Sequence, residues 1–164
     1  PIRNQARRAS RVADLAGHQE GLISRRQLEA RGLSPSQIKR RLRDGRLLPV
    51  FHGVFALGHA PIGSRAQMRA AVLACPGAVI SHRSAAALLG FGKAAPVVVD
   101  LIPPVERGRK IQGIKPHRVP FPRRPELVLV VGIPCTNAAR TIVDLAGTYG
   151  EPEMRDAVER AATE

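Results

Sequence analysis

The chain has 164 residues, enough for one domain or two small ones, and its 26 basic and 13 acidic residues give a formal charge of +13. This excess predicts a polyanionic partner, nucleic acid first and an anionic membrane surface second, and it excludes an acidic solvating tail. Hydrophobic residues make up 44% of the chain, so a folded core is expected and a disordered basic arm is excluded.

The composition narrows the class of protein further. No apolar run approaches the roughly 18 residues of a transmembrane helix, and the arginine-containing N-terminus lacks the apolar segment of a signal peptide. Cys75 and Cys135 are the only cysteines and lack CxxC spacing, so we expect reduced core thiols in a cytoplasmic protein. The few aromatic residues argue against a stacking surface for single-stranded nucleic acid.

The basic residues are concentrated in two regions. Residues 1–60 hold 12 basic and 4 acidic residues, and residues 107–124 hold seven basic residues and no acidic one. The second region is rich in Pro and Gly, and three interpretations stay open: a surface for the DNA backbone, a solvated loop, or a surface for an acidic protein. The residues of this possible second basic surface are Arg107, Arg109, Lys110, Lys115, Arg118, Arg123 and Arg124.

The N-terminal region begins with two predicted helices. Residues 4–17 carry a weak apolar stripe beside several arginines, which predicts a first helix that ends at Gly17. A capping box follows, because Ser24 is a favoured N-cap residue and Gln27 comes three residues later. It predicts a short second helix over residues 25–31.

A second capping box begins a third helix. Ser34 and Gln37 have the same spacing, and Pro35 occupies the first helical position, which together predict a helix over residues 34–44. Two short capped helices joined by a tight turn that contains glycine are typical of a helix-turn-helix.

The hydrophobic pattern changes after the third helix. Residues 46–51 and 54–58 read as two strands, and His52 and Gly53 between them predict a tight hairpin turn. A hairpin directly after a helix-turn-helix is typical of the wing of a winged helix. We therefore expect residues 1–60 to form a winged helix-turn-helix DNA-binding domain.

Residues 61–164 are expected to form a small mixed α+β domain, which makes the fold class of the chain α+β. A linker at 59–64 joins it to the first domain. The patterns predict helices over 65–75, 82–89, 137–147 and from 152 onward, and strands over 97–102, 111–119 and 127–133.

Two local contacts are expected in this second domain. Ser81 precedes a predicted helix and is an N-cap residue type, so we expect its hydroxyl to cap that helix. Arg140 and Asp144 lie four residues apart on another predicted helix, which predicts a structural ion pair.

The second helix of the helix-turn-helix carries the candidate DNA contacts. Its polar side lies opposite Ile38 and Leu42, the two apolar residues that share one face. In this motif the start of the second helix enters the major groove, where Arg recognises guanine and Gln recognises adenine. We therefore expect Ser36, Gln37 and Arg40 to lie in the groove.

Other basic residues of the domain are candidates for phosphate contacts. His52, at the predicted wing tip, is either a DNA contact or a turn residue, and the alternative for the whole set is a solvated basic face. The expected phosphate contacts are Arg41, Arg43, Arg46, Arg25 and Arg26.

No catalytic pattern is present. None of the four lysines has an acidic residue two positions before it, so the Glu-x-Lys element of restriction-type nucleases is lacking. The five histidines have no ligand spacing, and there is neither a P-loop nor a Gly-x-Ser-x-Gly turn. Ser81 and His82 are not expected to pair, because adjacent residues on a helix point apart. We expect no enzymatic activity, no metal and no cofactor.

Several blocks of the chain together resemble a known family. Residues 21–28 read Gly-Leu-Ile-Ser-Arg-Arg-Gln-Leu, and with residues 32–34 and 53–56 they resemble the N-terminal winged helix of AbiEi-type antitoxins. Residues 80–88 and 132–136 resemble the second domain of these proteins. The resemblance implies the antitoxin of a type IV toxin–antitoxin pair. Such a protein would bind inverted repeats in its own promoter and counter a nucleotidyltransferase-like toxin.

The leading hypothesis is a sequence-specific, duplex-DNA-binding repressor that acts as an autoregulating antitoxin. Two alternatives remain: the DNA-targeting portion of a longer restriction-endonuclease-like protein, and a toxin-neutralising module that needs no DNA. Membrane binding is disfavoured, because the charged helix 34–44 is opposed only by Ile38 and Leu42, which a domain core needs.

Overall fold

The chain divides into two compact units in the computed structural model, Pro1–Ala74 and Cys75–Glu164. The first unit extends beyond residue 60, the boundary expected from the sequence. No helix among the residues described is both long and apolar enough to cross a membrane. The structure describes residues 2–59, 63–92, 97–105 and 110–163.

The described part of the first unit contains four helices and three short strands. The strands form an antiparallel sheet in the order β1-β3-β2. Helix, strand, two helices and a hairpin in this order make a winged helix-turn-helix, as the sequence predicts; strand β1 was not expected. The elements are α1 (Ile2–Gly17), β1 (Leu22–Ser24), α2 (Arg25–Ala30), α3 (Pro35–Arg43), β2 (Leu47–Phe51), β3 (Val54–Leu57) and α4 (Ser64–Ala74).

Both predicted capping boxes are confirmed. At the start of α2 the Ser24 hydroxyl accepts a hydrogen bond from the Gln27 amide, and the Ser24 amide donates to Gln27 Oε1 at 2.9 Å. Ser34 and Gln37 repeat this exchange at the start of α3. Each N-cap is worth about 1 kcal/mol. The caps therefore fix where the two short helices begin.

The predicted wing is also confirmed. Strands β2 and β3 form a hairpin in which Phe51 pairs with Val54 across His52 and Gly53. Gly53 has a φ of +74°, a conformation that glycine adopts without steric cost.

Helices cover both faces of the three-stranded sheet. On one face Leu28 of α2, Ile38 of α3 and Phe55 of β3 belong to a buried cluster with residues of α1. On the other face Val54 packs with Ala66 and further residues of α4. Because the sheet buries side chains on both faces, α4 is part of the first core, which explains why this unit continues to Ala74.

The second unit contains a mixed five-stranded sheet in the order β6-β5-β4-β8-β7, and it confirms the α+β class. The predicted single strand over 127–133 is wrong: a hairpin occupies this region. Its turn contains Val131 and Gly132 at φ of 49° and 73°. The elements are β4 (Val79–Ile80), α5 (His82–Leu88), β5 (Val99–Ile102), β6 (Ile114–Pro116), β7 (Leu127–Val130), β8 (Ile133–Thr136), α6 (Ala138–Ala146) and α7 (Glu151–Ala161).

The helices of the second unit share a small apolar core. Ala86, Phe91, Leu145 and Ala157 form its buried cluster. Cys75 and Cys135 are free thiols, as expected. Burial raises the pKa of Cys135 to about 12, so this thiol stays protonated and unreactive.

Candidate nucleic-acid interface

Helix α3 presents a polar face to solvent. Ile38 is fully buried beneath the helix, and Ser36, Arg40 and Arg43 on the opposite side are exposed. The polar residues predicted to face DNA are therefore on the accessible side of the helix. Leu42 is only partly buried and packs against the same core as Ile38.

The capping box limits what Gln37 can recognise. Its Oε1 atom accepts a hydrogen bond from the Ser34 amide at 3.0 Å. A two-point contact with adenine needs both the oxygen and the nitrogen of the side-chain amide. With the cap closed, Gln37 offers only N–H donors, which suit acceptors such as guanine O6 or thymine O4. The Ser36 hydroxyl, 2.9 Å from Ser34 Oγ, is also engaged locally.

The arginines of α3 and the wing base differ in their partners. Arg43 Nε lies 3.4 Å from Asp44 Oδ1 in an exposed ion pair. The Asp44 carboxylate weakens the electrostatic attraction of Arg43 for a phosphate. Among the residues described, Arg40 has no ion-pair partner, and its side chain is exposed. Arg41 is half-buried and Arg46 is exposed. Arg40 is therefore the arginine best placed for a base edge.

Arg25 links the start of α2 to the wing. Its amide donates to Gly53 O at 2.7 Å, and its guanidinium lies 5.9 Å from the centre of the Phe55 ring. Arg26 is exposed next to it, and His52 is exposed in the wing turn. Arg25 and Arg26 thus begin the first helix of the helix-turn-helix and His52 lies in the wing, at the positions where DNA contacts were predicted.

Lys39 was not among the residues predicted from the sequence. It is exposed on α3 between Ile38 and Arg40. A helical projection at 100° per residue places it on the flank of the polar face, so its position was available as a signal. It adds one more positive charge beside the predicted groove-facing residues.

The structure brings together only part of the possible second basic surface. Lys110, Lys115 and Arg118 line one cavity of about 470 Å³, whose wall includes the apolar side chain of Ile114. Arg107 and Arg109 lie outside the described residues. Arg123 and Arg124 lie at a short 3-10 turn and do not line this cavity.

Ser81 is the N-cap residue of α5, as predicted, but the prediction that its hydroxyl caps the helix is wrong. Its side chain makes no capping hydrogen bond, and its hydroxyl instead lies 2.9 Å from Nδ1 of the neighbouring His82. The two side chains meet because His82 begins the helix at a φ of 50°, in the left-handed region, where neighbouring side chains are not splayed as on a regular helix. The expectation that adjacent residues cannot pair fails for this reason.

His82 belongs to a buried polar cluster. Its ring stacks on the His117 ring with centroids 3.5 Å apart, and His117 Nε2 lies 2.7 Å from Asp100 Oδ1. Burial and the nearby His117 lower the pKa of His82 to about 4. His82 is therefore neutral at pH 7. No group of three or more His, Cys, Asp or Glu side chains within the described ranges is arranged to hold a metal ion.

The predicted ion pair between Arg140 and Asp144 is confirmed, with Nε to Oδ1 at 2.8 Å. Arg140 also donates to Glu126 at 3.1 Å and to the carbonyl of Pro120 at 2.9 Å. The hydrogen bonds to Asp144 and Glu126 raise the pKa of Arg140. A hydrogen bond from the Arg123 amide and one from Arg140 lower the pKa of Glu126. This network holds the loop after β6 against α6.

The comparisons with known proteins agree with this architecture. Residues 10–58 match the family model described as "Transcriptional regulator, AbiEi antitoxin". The resemblance to AbiEi antitoxins is thus confirmed over the winged helix. The chain also resembles the crystal structure of the RV2827C protein from Mycobacterium tuberculosis, with 19% identity, a TM-score of 0.54 and coverage of 95% of this chain and 75% of that one. At this identity the likeness shows the fold alone. No curated protein matches the chain.

Proposed function

We propose that this protein is a sequence-specific, duplex-DNA-binding repressor that binds inverted repeats in its own promoter as the antitoxin of a type IV toxin–antitoxin pair. The observation that carries the proposal is the exposed cationic face of α3 within a winged helix that matches a family of antitoxin regulators. The start of α3 would enter the major groove, as the second helix of a helix-turn-helix does.

The charges around α3 support binding to a duplex. Arg40 makes no ion pair with the described residues, and its side chain is exposed near the middle of α3. If α3 lies in the major groove, a side chain at this position faces the base edges. Arg26 on α2, Arg41 on α3 and Arg46 before β2 add positive charge for the phosphates. The positive end of the α3 dipole adds a further attraction for a phosphate at Ser36.

Repression is tested with a reporter gene under the protein's own upstream region. We expect the wild type to lower reporter output and Arg40→Ala to restore it, with Arg155→Ala as the matched control. Arg155 is an exposed helical arginine of the second unit, with an ion-pair partner four residues away. Equal repression by the wild type and Arg40→Ala at equal protein levels would contradict this use of α3.

Toxin neutralisation is a second candidate function, favoured by the hairpin of β7 and β8. Its residues Val128, Leu129 and Val131 are exposed, Leu129 by 74%, and β7 is an edge strand. Exposed apolar residues on an edge strand favour a protein contact. We propose that they contact the nucleotidyltransferase-like toxin that the antitoxin resemblance implies.

The toxin contact is tested by co-expression with a nucleotidyltransferase encoded beside this protein. We expect Leu129→Asp to abolish protection from the toxin while promoter binding is retained. Val158→Asp, at an exposed valine of α7, controls for adding a surface charge. Full protection by Leu129→Asp would exclude the hairpin as the toxin contact.

A further inference from the structure

A second cavity of the Cys75–Glu164 unit has the features of a binding site. It measures about 740 Å³, within the range of small-molecule pockets, and lies between the start of α5, the loop after β6, and α6. Val119, Pro120 and Val143 supply apolar wall, and the stacked His82 and His117 also line the cavity. The proposed DNA contacts of α3 play no part in it.

Backbone strain marks the same place. His82 holds a φ of 50° while the residue is 5% exposed, and the left-handed region is disfavoured for a residue with a β-carbon. The Ser81 hydroxyl and the His117 ring keep the imidazole in position. Strain of this kind is typical of ligand sites, because the surrounding contacts must hold a side chain where the backbone alone would not.

Asp144 lines the cavity, and one oxygen of its carboxylate has no hydrogen-bond donor among the described residues. Its Oδ1 binds Arg140, but its Oδ2 is buried and accepts no hydrogen bond from any residue that the structure describes. The Asp144 side chain is only 4% exposed. Burying a carboxylate oxygen without a hydrogen-bond donor costs free energy, so this carboxylate favours a donor that comes from outside the chain.

The charges of the wall select the sign of the ligand. Its carboxylates are those of Glu126 and Asp144, and its one permanent cation is Arg140. Three of the five N–H groups of Arg140 already donate to protein oxygens, two of them to these same carboxylates, which offset its charge. His82 is neutral at pH 7. His117 lies 2.7 Å from Asp100, whose carboxylate offsets the charge of that ring when it is protonated. The carboxylates therefore outnumber the cations around this cavity, within a chain of charge +13.

We propose that this cavity binds a small organic cation, whose ammonium or guanidinium group pairs with the carboxylates of Asp144 and Glu126 and whose apolar stem lies against Val119 and Val143. The neutral imidazole of His82 gives the cation a second polar neighbour without opposing its charge. The proposal does not depend on DNA binding or on a toxin.

The test is an NMR titration of the full chain with butylammonium and butylguanidinium, with butyrate as the anionic probe. The readout is the ring C–H resonances of His82 and His117. We expect saturable shifts of both histidines with the two cations, at a dissociation constant of about 1 mM, and none with butyrate.

Two variants separate binding from folding. Asp144→Asn keeps an oxygen for Arg140 but replaces Oδ2 by an amide nitrogen, so we expect binding to weaken by at least about tenfold. Ala139→Phe, at an exposed position of the wall, is expected to block the cavity without touching the core. Glu159→Gln, an exposed carboxylate on α7, is the matched control and should bind as the wild type does.

Three outcomes would overturn the proposal. One is the absence of saturable histidine shifts with either cation. Another is butyrate binding as tightly as butylammonium. The third is unchanged cation binding by folded Asp144→Asn and Ala139→Phe. Because the readout needs neither DNA nor a toxin, failure here is distinct from failure of the repressor function.

Discussion

Arg40→Ala is the sharpest test of the proposed interface, because the structure makes it a clean perturbation. Arg40 is exposed on α3 and makes no ion pair with the described residues, so truncation removes no ion pair and little buried surface. Alanine is also the best helix former. We therefore expect the stability of the protein to change by less than about 0.5 kcal/mol.

The expected loss of DNA affinity follows from the type of contact. If Arg40 makes a two-point contact with guanine, its loss costs about 1–3 kcal/mol, which corresponds to about 5- to 150-fold in dissociation constant. The loss should appear with the specific duplex and largely vanish with a scrambled one. A phosphate contact would instead weaken both duplexes alike and lower the salt slope by about 1.

The assay is a fluorescence anisotropy titration of both duplexes at several salt concentrations, with Arg155→Ala as the control. An equal loss on the two duplexes would refute the base contact. No loss on either duplex, in a protein that does bind DNA, would refute α3 as the recognition helix.

Three further predictions follow from single features of the structure. If Arg25, Arg26, Arg41, Arg43 and Arg46 all contact phosphates, the logarithm of the binding constant should fall with that of salt at a slope of about −4 to −5 per bound chain, and a slope near zero would exclude these contacts. Ser34→Ala should weaken α3 by about 1 kcal/mol, measured by amide hydrogen exchange in α3, whereas Ser10→Ala should leave it unchanged; equal protection in both variants would exclude the cap as a stabilising contact. The fold lowers the pKa of His82 to about 4 from an ordinary value near 6.5, so as the pH falls the unfolded chain takes up this proton before the folded chain does. The contribution of neutral His82 to stability is therefore complete above pH 6.5 and is lost between pH 6.5 and 4. Because of this group, the free energy of unfolding should be about 2 kcal/mol lower at pH 5 than at pH 7. His82→Asn should remove this difference, since Asn tolerates a positive φ, whereas His18→Asn, at an exposed position, should not. An unchanged difference in His82→Asn would contradict the assignment to His82.

The winged helix was predictable because its signals are local. The capping boxes at Ser24 and Ser34 each lie within four residues, and Gly53 marks the wing turn, so residue types alone fixed the helix starts and the hairpin. The candidate residues of α3 followed from helical periodicity, since Ile38 identifies the buried face. Their contacts with DNA stay predictions.

The features that escaped prediction depend on tertiary contacts or on unusual backbone. Val131 takes a positive φ in the β7–β8 turn, a conformation disfavoured for a β-branched residue, so the sequence gives no turn signal there beyond Gly132. His82 likewise adopts a left-handed φ, held by its stacking on His117, which lies 35 positions further along the chain. The inclusion of α4 in the first unit depends on the second face of a sheet whose first strand was itself not predicted.

The most direct test of the central claim is a binding competition at physiological salt between a duplex from the protein's own upstream region and a scrambled duplex of equal length. The account predicts binding to the upstream duplex at least about 10³-fold tighter, and DNase I protection of an inverted repeat within it. Equal affinity for the two duplexes, with no protected repeat, would contradict sequence-specific repression.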